Sequence, residues 1–429
     1  MDLLGAIVVC GGLIAFGLVS RKVEGTIVTA PLVFILFGLA VGPGGLGIAR
    51  IEPGHGVIHL IAELTLVLVL FSDAARIDLK LLRRDHNLPV RMLLIGLPLT
   101  VLLGAGVTLL LFPAFSLWEA ALLAAVLAPT DAALGQAVVS ARAVPVRIRQ
   151  ALNVESGLND GIALPAVLLF AALASAAAGA ESGGRDWIAF GLLQVTLGPL
   201  AGIVLGYAGA RLVDGAATAG FMTESFQGIG ILAMAFLAFA GAEMVGGNGF
   251  IAAFVAGLVF GNTIRHRCSF LLDFMETEGQ LLMLVTFLVF GAAMLPEGLH
   301  GLDWHIVAYA VLSLTLIRMI PAALSLIGTG VRFPTVWFLG WFGPRGLASI
   351  LFALLIVERS GIPHAHEILV ATIVTVGLSA LLHGVSAAPL ADAYGRLAAR
   401  LGECEESRPV GEMPLRTAGG TRAAKAPAE

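Results

Sequence analysis

The chain has 429 residues, of which 58% are hydrophobic and only 13% charged. Its mean hydropathy of +0.95 is far above that of a soluble domain, so the composition predicts a polytopic membrane protein. A net charge of -4 argues against nucleic-acid binding, because a basic surface that neutralises phosphates is missing. The cysteines Cys10, Cys268 and Cys404 lie far apart, without the spacing of a metal site or a disulfide framework.

Apolar runs long enough to cross a bilayer core of roughly 30 Å occur about thirteen times along the chain. They lie at residues 3–20, 27–48, 57–75, 88–112, 117–139, 148–178, 187–210, 225–243, 248–262, 279–296, 305–329, 334–357 and 366–394. The ninth run is short and the connection at Pro113 is tight, so twelve or fourteen crossings are also compatible with the pattern. No cleavable leader is predicted, because the first run has no basic segment before it.

The distribution of cations orients these runs, because Lys and Arg accumulate in cytoplasmic loops. With thirteen crossings and the N-terminus outside, twenty of the 25 Lys and Arg residues fall inside and three fall outside. The remaining two, Arg318 and Arg345, lie within predicted helices. We therefore expect an outside N-terminus and a cytoplasmic C-terminus, with a membrane domain over 1–400 and a short, disordered tail over 401–429.

Thirteen crossings also allow two inverted six-helix repeats joined by the seventh helix, an arrangement found in many secondary transporters. The fifth helix of each repeat is then interrupted at a matching place. Run 117–139 contains "LAPTDAALG" and run 334–357 contains "WFGPRGLAS", each with a proline beside a charged residue. Proline removes a helical hydrogen bond, and the freed backbone groups are tolerated in a membrane only inside protein or a polar cavity.

Charged residues of four different runs are predicted to meet near the middle of the membrane. At 1.5 Å per residue, Asp160 and Arg345 lie roughly 16 Å from the inner end of their helices, and Asp131 and Arg318 roughly 20 Å from the outer end. With Glu155 included, three acids face two arginines. Pairing neutralises two acids at most, so the third must take a proton or a cation, as in an ion carrier.

The segment "NVESGLNDGIALP" indicates which acid this is. Ser156, Asn159 and Asp160 are three and four residues apart and therefore share one face of a helix. Their hydroxyl, amide and carboxylate oxygens suit a hard cation, and Thr130, beside the break at Pro129, adds another oxygen. Glu155 lies about 100° further round the same helix and faces a different neighbour.

These motifs, together with "GGNGFIAAFVAGLVFGN" and "LVTFLVFGAAM", resemble the monovalent cation:proton antiporter-1 family, the NhaP-type sodium/proton antiporters. The likeness covers residues 3 to about 395. It implies an all-α fold of thirteen helices with two crossed broken helices, a dimerisation part and a mobile core. It also implies a homodimer in the cell membrane that needs no cofactor.

The resemblance further implies roles for single residues. Asp160 binds the ion, near Thr130, Asp131 and Ser156, so that sodium is expected at Asp160, Ser156 and Thr130, and Asn159 holds the site together. Glu155 pairs with Arg318, and Asp131 lies near Arg345. The N-D order of Asn159 and Asp160 resembles that of electroneutral antiporters, which exchange one proton for one sodium or lithium ion. One departure is Ala132, where the family has a second proline after T-D.

Other functions remain open at this stage. A potassium/proton antiporter of the same fold is the main alternative, and a channel is less compatible with broken helices. An intramembrane aspartyl protease using Asp131 and Asp160 is a remote one, because its second aspartate would need a G-x-G-D context. Among other polar residues, Glu63 and Asp73 are weak candidates for the ion path. For His383, a hydrogen bond to a backbone carbonyl is expected, with a pH-sensing role as the alternative. For Asn248, a cap or a bend of the short ninth helix is expected.

Overall fold

The computed structural model describes residues 3–23, 26–48, 55–84, 87–131, 133–179, 187–264, 269–359, 361–400 and 404–411. All regular secondary structure in these residues is helical, which confirms the predicted all-α class. By length and composition, eight helices of the described part can cross a membrane, and four shorter apolar helices accompany them. The number of thirteen crossings stays a prediction.

The first half of the chain forms ten α-helices within the described residues. They are α1 (Leu3–Val23), α2 (Ala30–Val41), α3 (His55–Ala75), α4 (Leu79–Arg84), α5 (Asn87–Arg91), α6 (Leu97–Leu111), α7 (Leu117–Val126), α8 (Gln136–Val139), α9 (Val146–Ala177) and α10 (Trp187–Thr218). A π-helical turn over Met92–Gly96 joins α5 to α6.

The second half adds nine α-helices in the part that is described. They are α11 (Glu224–Met244), α12 (Gly249–Thr263), α13 (Ser269–Val289), α14 (Leu295–His300), α15 (Trp304–Leu314), α16 (Leu316–Ser325), α17 (Phe333–Trp341), α18 (Leu347–Arg359) and α19 (Ala365–Arg400). A π-helical turn over Phe290–Met294 joins α13 to α14. Each of the thirteen apolar runs overlaps one of these helices or an interrupted set of them.

Several helix ends differ from the predicted runs. Helix α13 begins at Ser269, ten residues before the run predicted at 279–296, and α19 continues to Arg400. These extensions contain charged residues, which hydropathy excludes from a crossing although a helix can continue beyond the bilayer. Run 305–329 is interrupted at Thr315, whose φ of -111° and ψ of -95° separate α15 from α16. Neither proline nor glycine marks this kink.

The helices pack as two bundles. Helices α2, α3 and α10 to α13 contact one another extensively and form what we call the scaffold bundle. Helices α5 to α9 and α15 to α19 form the second group, which we call the site bundle because it contains both interrupted helices. The longest interfaces lie within the bundles, and α9, α18 and α19 supply most contacts between them.

Glycines bring helices of the scaffold bundle into close contact. Gly257 and Gly261, one turn apart on α12, face the backbone carbonyls of Phe71 and Ala75 on α3, where a Cβ atom would overlap with the carbonyl oxygens. Small residues at this spacing permit backbone-to-backbone packing of membrane helices. At the start of α12, the side chain of Asn248 accepts a hydrogen bond from Ile251 N–H at 3.0 Å, so the predicted cap is confirmed.

Residues 404–411 correct the prediction of a disordered tail over 401–429; the rest of that range lies outside the described residues. Glu405–Ser407 form a 3-10 turn, and Glu406 is buried. Arg147, in the first turn of α9, donates to the backbone carbonyl and the carboxylate of Glu405, each at 2.5 Å. The polar composition of the tail predicted disorder. The carboxylates of the tail find partners in Arg147 and at the start of α17, and composition alone does not show such contacts.

Glu406 ties the tail to the start of α17. Its Oε1 atom accepts hydrogen bonds from Arg332 N–H at 2.7 Å and from the Thr335 hydroxyl at 2.8 Å. Burial disfavours the charge of Glu406, but these hydrogen bonds outweigh it, and its pKa lies below the ordinary value of 4.5. A depressed pKa in the folded state stabilises the fold at neutral pH, and this contribution disappears as the pH falls through that pKa.

We expect Glu406→Ala to lower the free energy of unfolding by about 1–3 kcal/mol, because Arg332 N–H and the Thr335 hydroxyl lose their acceptor. The measurement is thermal unfolding in detergent, and the difference from wild type should shrink as the pH is lowered below 4.5. Glu405→Ala is the control, since that carboxylate is more exposed and surface ion pairs contribute little. Equal melting temperatures for Glu406→Ala and wild type at neutral pH would contradict the docking of the tail.

Candidate functional site

The two predicted breaks are present and contact each other inside the site bundle. Helix α7 ends at Val126 and α8 begins at Gln136, whereas α17 ends at Trp341 and α18 begins at Leu347. The segments between them are joined by a hydrogen bond of 2.8 Å from Asp131 N–H to the carbonyl of Pro344. Ala132, the departure from the family motif, lies outside the described residues. The two interruptions therefore form one shared feature of the fold.

Each break places a charged side chain against the end of the other broken helix. The carboxylate of Asp131 accepts hydrogen bonds from Leu347 N–H, at the start of α18, and from Ala133 N–H, at 2.8 and 2.7 Å. Nη1 of Arg345 donates to the carbonyls of Ala128 and Pro129, just after α7, at 2.5 and 3.1 Å. A negative charge at a helix N-terminus and a positive charge at a C-terminus are both stabilising.

This arrangement refines the expected contact between Asp131 and Arg345. The two residues are neighbours, as the resemblance implied, and each side chain binds backbone groups of the other segment. Arg345 is completely buried. Several of the backbone carbonyls and N–H groups freed by the two breaks thus obtain partners from charged side chains, as a membrane interior requires.

The glycines that flank Pro344 and Arg345 make room for these contacts. A Cβ atom on Gly346 would overlap with the carboxylate of Asp131, and one on Gly343 would overlap with the guanidinium of Arg318. The motif "GPRG" therefore combines a break with two positions at which a side chain would displace a charged group of the site. Its glycines were visible in the sequence, but their partners were not.

Glu155 and Arg318 form a buried ion pair next to the point where the two breaks contact each other. Nη1 and Nη2 of Arg318 donate to Oε1 and Oε2 of Glu155 at 2.5 and 2.8 Å, a bidentate geometry. The side chains are 5% and 4% exposed. Arg318 follows the kink at Thr315 by three residues, and it also donates to the carbonyl of Leu339 at 3.4 Å. The structure thus brings together the two residues that the resemblance paired.

Around the turn that holds Asp160, polar side chains form a connected cluster. Nδ2 of Asn159 donates to Oγ1 of Thr130 at 2.6 Å, and the same oxygen lies 3.0 Å from Oγ of Ser156. Asp160 follows Ser156 by one turn on α9 and is 8% exposed. Hydroxyl, amide and carboxylate oxygens are hard ligands suited to an alkali cation.

Within the described residues, several buried polar atoms of this region have no hydrogen-bond partner. They include Oδ1 of Asn159, Nε of Arg318 and both Nε and Nη2 of Arg345. Buried groups of this kind are where ordered water or a bound ion is found. Oδ1 of Asn159 is an acceptor and can contact a cation or water, whereas the arginine nitrogens are donors and can contact water but not a cation.

The surroundings of α9 connect the cluster to the scaffold bundle. Gly161 packs against the ring of Phe254 on α12, where a Cβ atom would overlap with the ring. Gly157 lies near the carbonyl of Asp73 at the end of α3. The backbone of Asp73 is therefore close to α9. A place of Asp73 or Glu63 on the ion path stays a prediction.

A cavity of about 510 Å³ lies beside the first break, between the two bundles. Its walls include Ala133, Gln136 and Ser140 from the break and α8, with Phe34 of α2 and Asp392 of α19. Ala133 is the residue whose N–H binds Asp131. The cavity therefore extends to Ala133, beside Asp131 and the first break, and it lies on the side of the C-terminal part of α19.

Comparison with known proteins places this geometry in context. The sequence profile of the transmembrane sodium/hydrogen exchanger family matches residues 6–393. The K⁺/H⁺ antiporter NhaP of Alkalimonas amylolytica is 27% identical over 95% of this chain and 69% of its own length. The K⁺/H⁺ antiporter NhaP2 of Shewanella oneidensis is 26% identical over 83% of this chain, which spans only 61% of that relative.

Another relative is named as a sodium/proton antiporter. Na⁺/H⁺ antiporter 2 of Zygosaccharomyces rouxii is 28% identical over 79% of this chain and 44% of its own length. Among solved structures, the sodium proton antiporter MjNhaP1 from Methanocaldococcus jannaschii at pH 8 aligns with 91% of this chain and 99% of its own, with a TM-score of 0.73. At 21% sequence identity this likeness identifies the fold.

We expect Arg318→Ala to destabilise the protein by about 3–5 kcal/mol, because it leaves the Glu155 carboxylate buried and unpaired. The measurement is thermal unfolding in detergent. Adding Glu155→Gln should restore part of the loss, since the buried charge is then removed. Arg332→Ala is the control, because that side chain is exposed. An unchanged melting temperature for Arg318→Ala would show that the pair contributes nothing to stability.

Proposed function

Since the chain belongs to the sodium/hydrogen exchanger family, we propose that it exchanges sodium or lithium for protons across the membrane. It is a multi-pass membrane transporter and not an enzyme, which removes the aspartyl protease from consideration. The observation that supports the proposal most directly is the buried oxygen cluster of Thr130, Ser156 and Asn159 beside Asp160, at the crossing of two broken helices.

In the mechanism that we propose, a proton and a cation compete for Asp160. The other two acids of the site have assigned partners: Glu155 binds Arg318, and Asp131 binds backbone N–H groups. Asp160, one turn from Ser156 on α9, takes either a proton or a cation, with Thr130 and Ser156 as further ligands and Asn159 fixing the Thr130 hydroxyl. The site bundle moves the neutralised site between the two faces, because a charged, empty site is costly to carry through the membrane.

Potassium is the second candidate cation. The relatives from Alkalimonas and Shewanella are named as K⁺/H⁺ antiporters and the yeast relative as a Na⁺/H⁺ antiporter. The oxygen ligands suit any hard alkali cation, and selectivity depends on the size of the occupied site. Dequenching of a pH-sensitive dye in everted vesicles on addition of sodium, lithium or potassium separates these cations. We also propose a homodimer in the cell (inner) membrane, with the N-terminus outside and the C-terminus in the cytoplasm.

We expect Asp160→Asn to abolish exchange while the protein keeps its fold, because asparagine has nearly the same shape but neither ionises nor releases a proton. The measurement is cation-driven proton movement in everted vesicles, with size-exclusion elution as the test of folding. Asp303→Asn is the matched control: it makes the same chemical change at an exposed carboxylate that caps α15 and pairs with His305. Wild-type exchange by Asp160→Asn would refute the assignment.

With one carboxylate exchanging one proton for one monovalent cation, transport should be electroneutral. The rate in proteoliposomes should not respond to a membrane potential imposed with a thiocyanate gradient, which keeps potassium out of the assay. The apparent affinity for the cation should fall as the pH is lowered, because protons then occupy Asp160. A rate that rises steeply with the potential would mean that Asp131 or Glu155 also carries a proton.

A further inference from the structure

The second break separates one particular pair of backbone groups. In an uninterrupted α-helix, the N–H of Arg345 would donate to the carbonyl of Trp341, four residues earlier. Helix α17 ends at Trp341, so this hydrogen bond is not made. Arg345 is completely buried, and a buried N–H group needs a partner from elsewhere.

Two residues of α19 supply the missing partners. Oγ of Ser379 accepts the hydrogen bond from Arg345 N–H at 2.7 Å, and Nε2 of His383 lies 2.9 Å from the Trp341 carbonyl oxygen. Ser379 and His383 are four residues apart, on one face of α19, and at most 1% exposed. The Trp341 carbonyl also accepts Gly343 N–H at 2.8 Å, so His383 occupies its second lone pair.

The chemistry of these contacts specifies the form of the imidazole. A carbonyl oxygen only accepts, so Nε2 of His383 must carry the proton. In the neutral ring, Nδ1 then has a lone pair, and it accepts from the Ser379 hydroxyl at 3.2 Å. A doubly protonated ring would instead donate from Nδ1 to the Ser379 carbonyl at 3.0 Å, leaving the hydroxyl proton without this acceptor. The hydrogen bond from the Ser379 hydroxyl to Nδ1 forms only with the neutral ring. The contacts of Arg345 N–H with Ser379 and of Nε2 with Trp341 are made by either form of the ring.

We propose that Ser379 and His383 are positioning residues of the antiport site. They attach the second break to α19 at Arg345, whose guanidinium binds the first break. Leu347, whose N–H binds Asp131, follows two residues later. The pair thereby determines how the two breaks face each other. The inference rests on the proposed function, because it assigns the pair a role in exchange that goes beyond stability, and it makes His383 a constant hydrogen-bond donor and not a pH sensor.

The test compares four variants in the full-length protein. Ser379→Ala removes the acceptor of Arg345 N–H, and His383→Leu removes the donor to Trp341. Both should lower the maximal exchange rate on the order of tenfold or more, since small displacements of catalytic geometry have effects of this size. His383→Gln keeps an N–H donor at the position of Nε2 and should retain most of the rate and the wild-type pH profile. Thr375→Val is the control on the same face of α19, where the hydroxyl donates to the Ala371 carbonyl in the preceding turn of its own helix.

Rates are compared for variants that elute as the wild type does, and Ser379→Ala carries the test if His383→Leu does not fold. Wild-type rates for folded Ser379→Ala would overturn the inference. A shifted pH profile in His383→Gln would also overturn it, because titration of the ring and not its donor would then matter. Asp160→Asn measured in parallel separates the two proposals: exchange by that variant refutes the proposed function, whereas its loss together with full activity of Ser379→Ala refutes the inference alone.

Nitrogen-15 NMR of histidine-labelled protein tests the proposed hydrogen bonds of His383 directly. The signal of His383 is assigned by its absence in His383→Gln. We expect a neutral ring with the proton on Nε2 throughout the pH range of transport. A doubly protonated ring within that range would contradict the proposed hydrogen bonds.

Discussion

The site depends on one constraint: backbone groups inside a membrane must have hydrogen-bond partners, and two broken helices leave some of them without the usual ones. Here each break supplies hydrogen-bond partners to the other. The Asp131 carboxylate caps the start of α18, and the Arg345 guanidinium covers the carbonyls after α7. Charged side chains such as those of Asp131 and Arg345 are costly in a membrane. Here their charges are stabilised by the partial charges at the ends of the broken helices. Neither break is complete without the other.

The helices within each bundle are held together by different interactions. In the scaffold bundle, glycines such as Gly257 and Gly261 allow helices to pack backbone against backbone. In the site bundle, packing includes a buried ion pair between Glu155 and Arg318 and a cluster of hydroxyl and amide groups around Thr130. Polar contacts of this kind depend on direction and distance, so a small shift of one break alters several of them together. That sensitivity is compatible with a site that changes its access during transport.

Much of this architecture could be predicted because membranes impose strong rules on sequence. Hydropathy located the helices, and a proline beside a charge located both breaks. The face shared by Ser156, Asn159 and Asp160 follows from helical spacing alone. Helix ends were predicted less well, since hydropathy measures the bilayer crossing and not the length of the helix. The kink at Thr315 was missed because neither proline nor glycine marks it.

The sequence by itself determined the class of the protein, its helices, its two breaks and the charged residues inside them, since composition, periodicity and proline act locally. Only the tertiary structure decided which groups meet. Asp131 and Arg345 bind each other's backbone segments, although they lie on breaks more than two hundred residues apart. Ser379 and His383 complete the second break from α19, the helix that follows α18. The docking of Glu406 is of the same kind. Such contacts depend on how helices pack in three dimensions, and one sequence contains no local signal for the distance between residues that are remote in the chain.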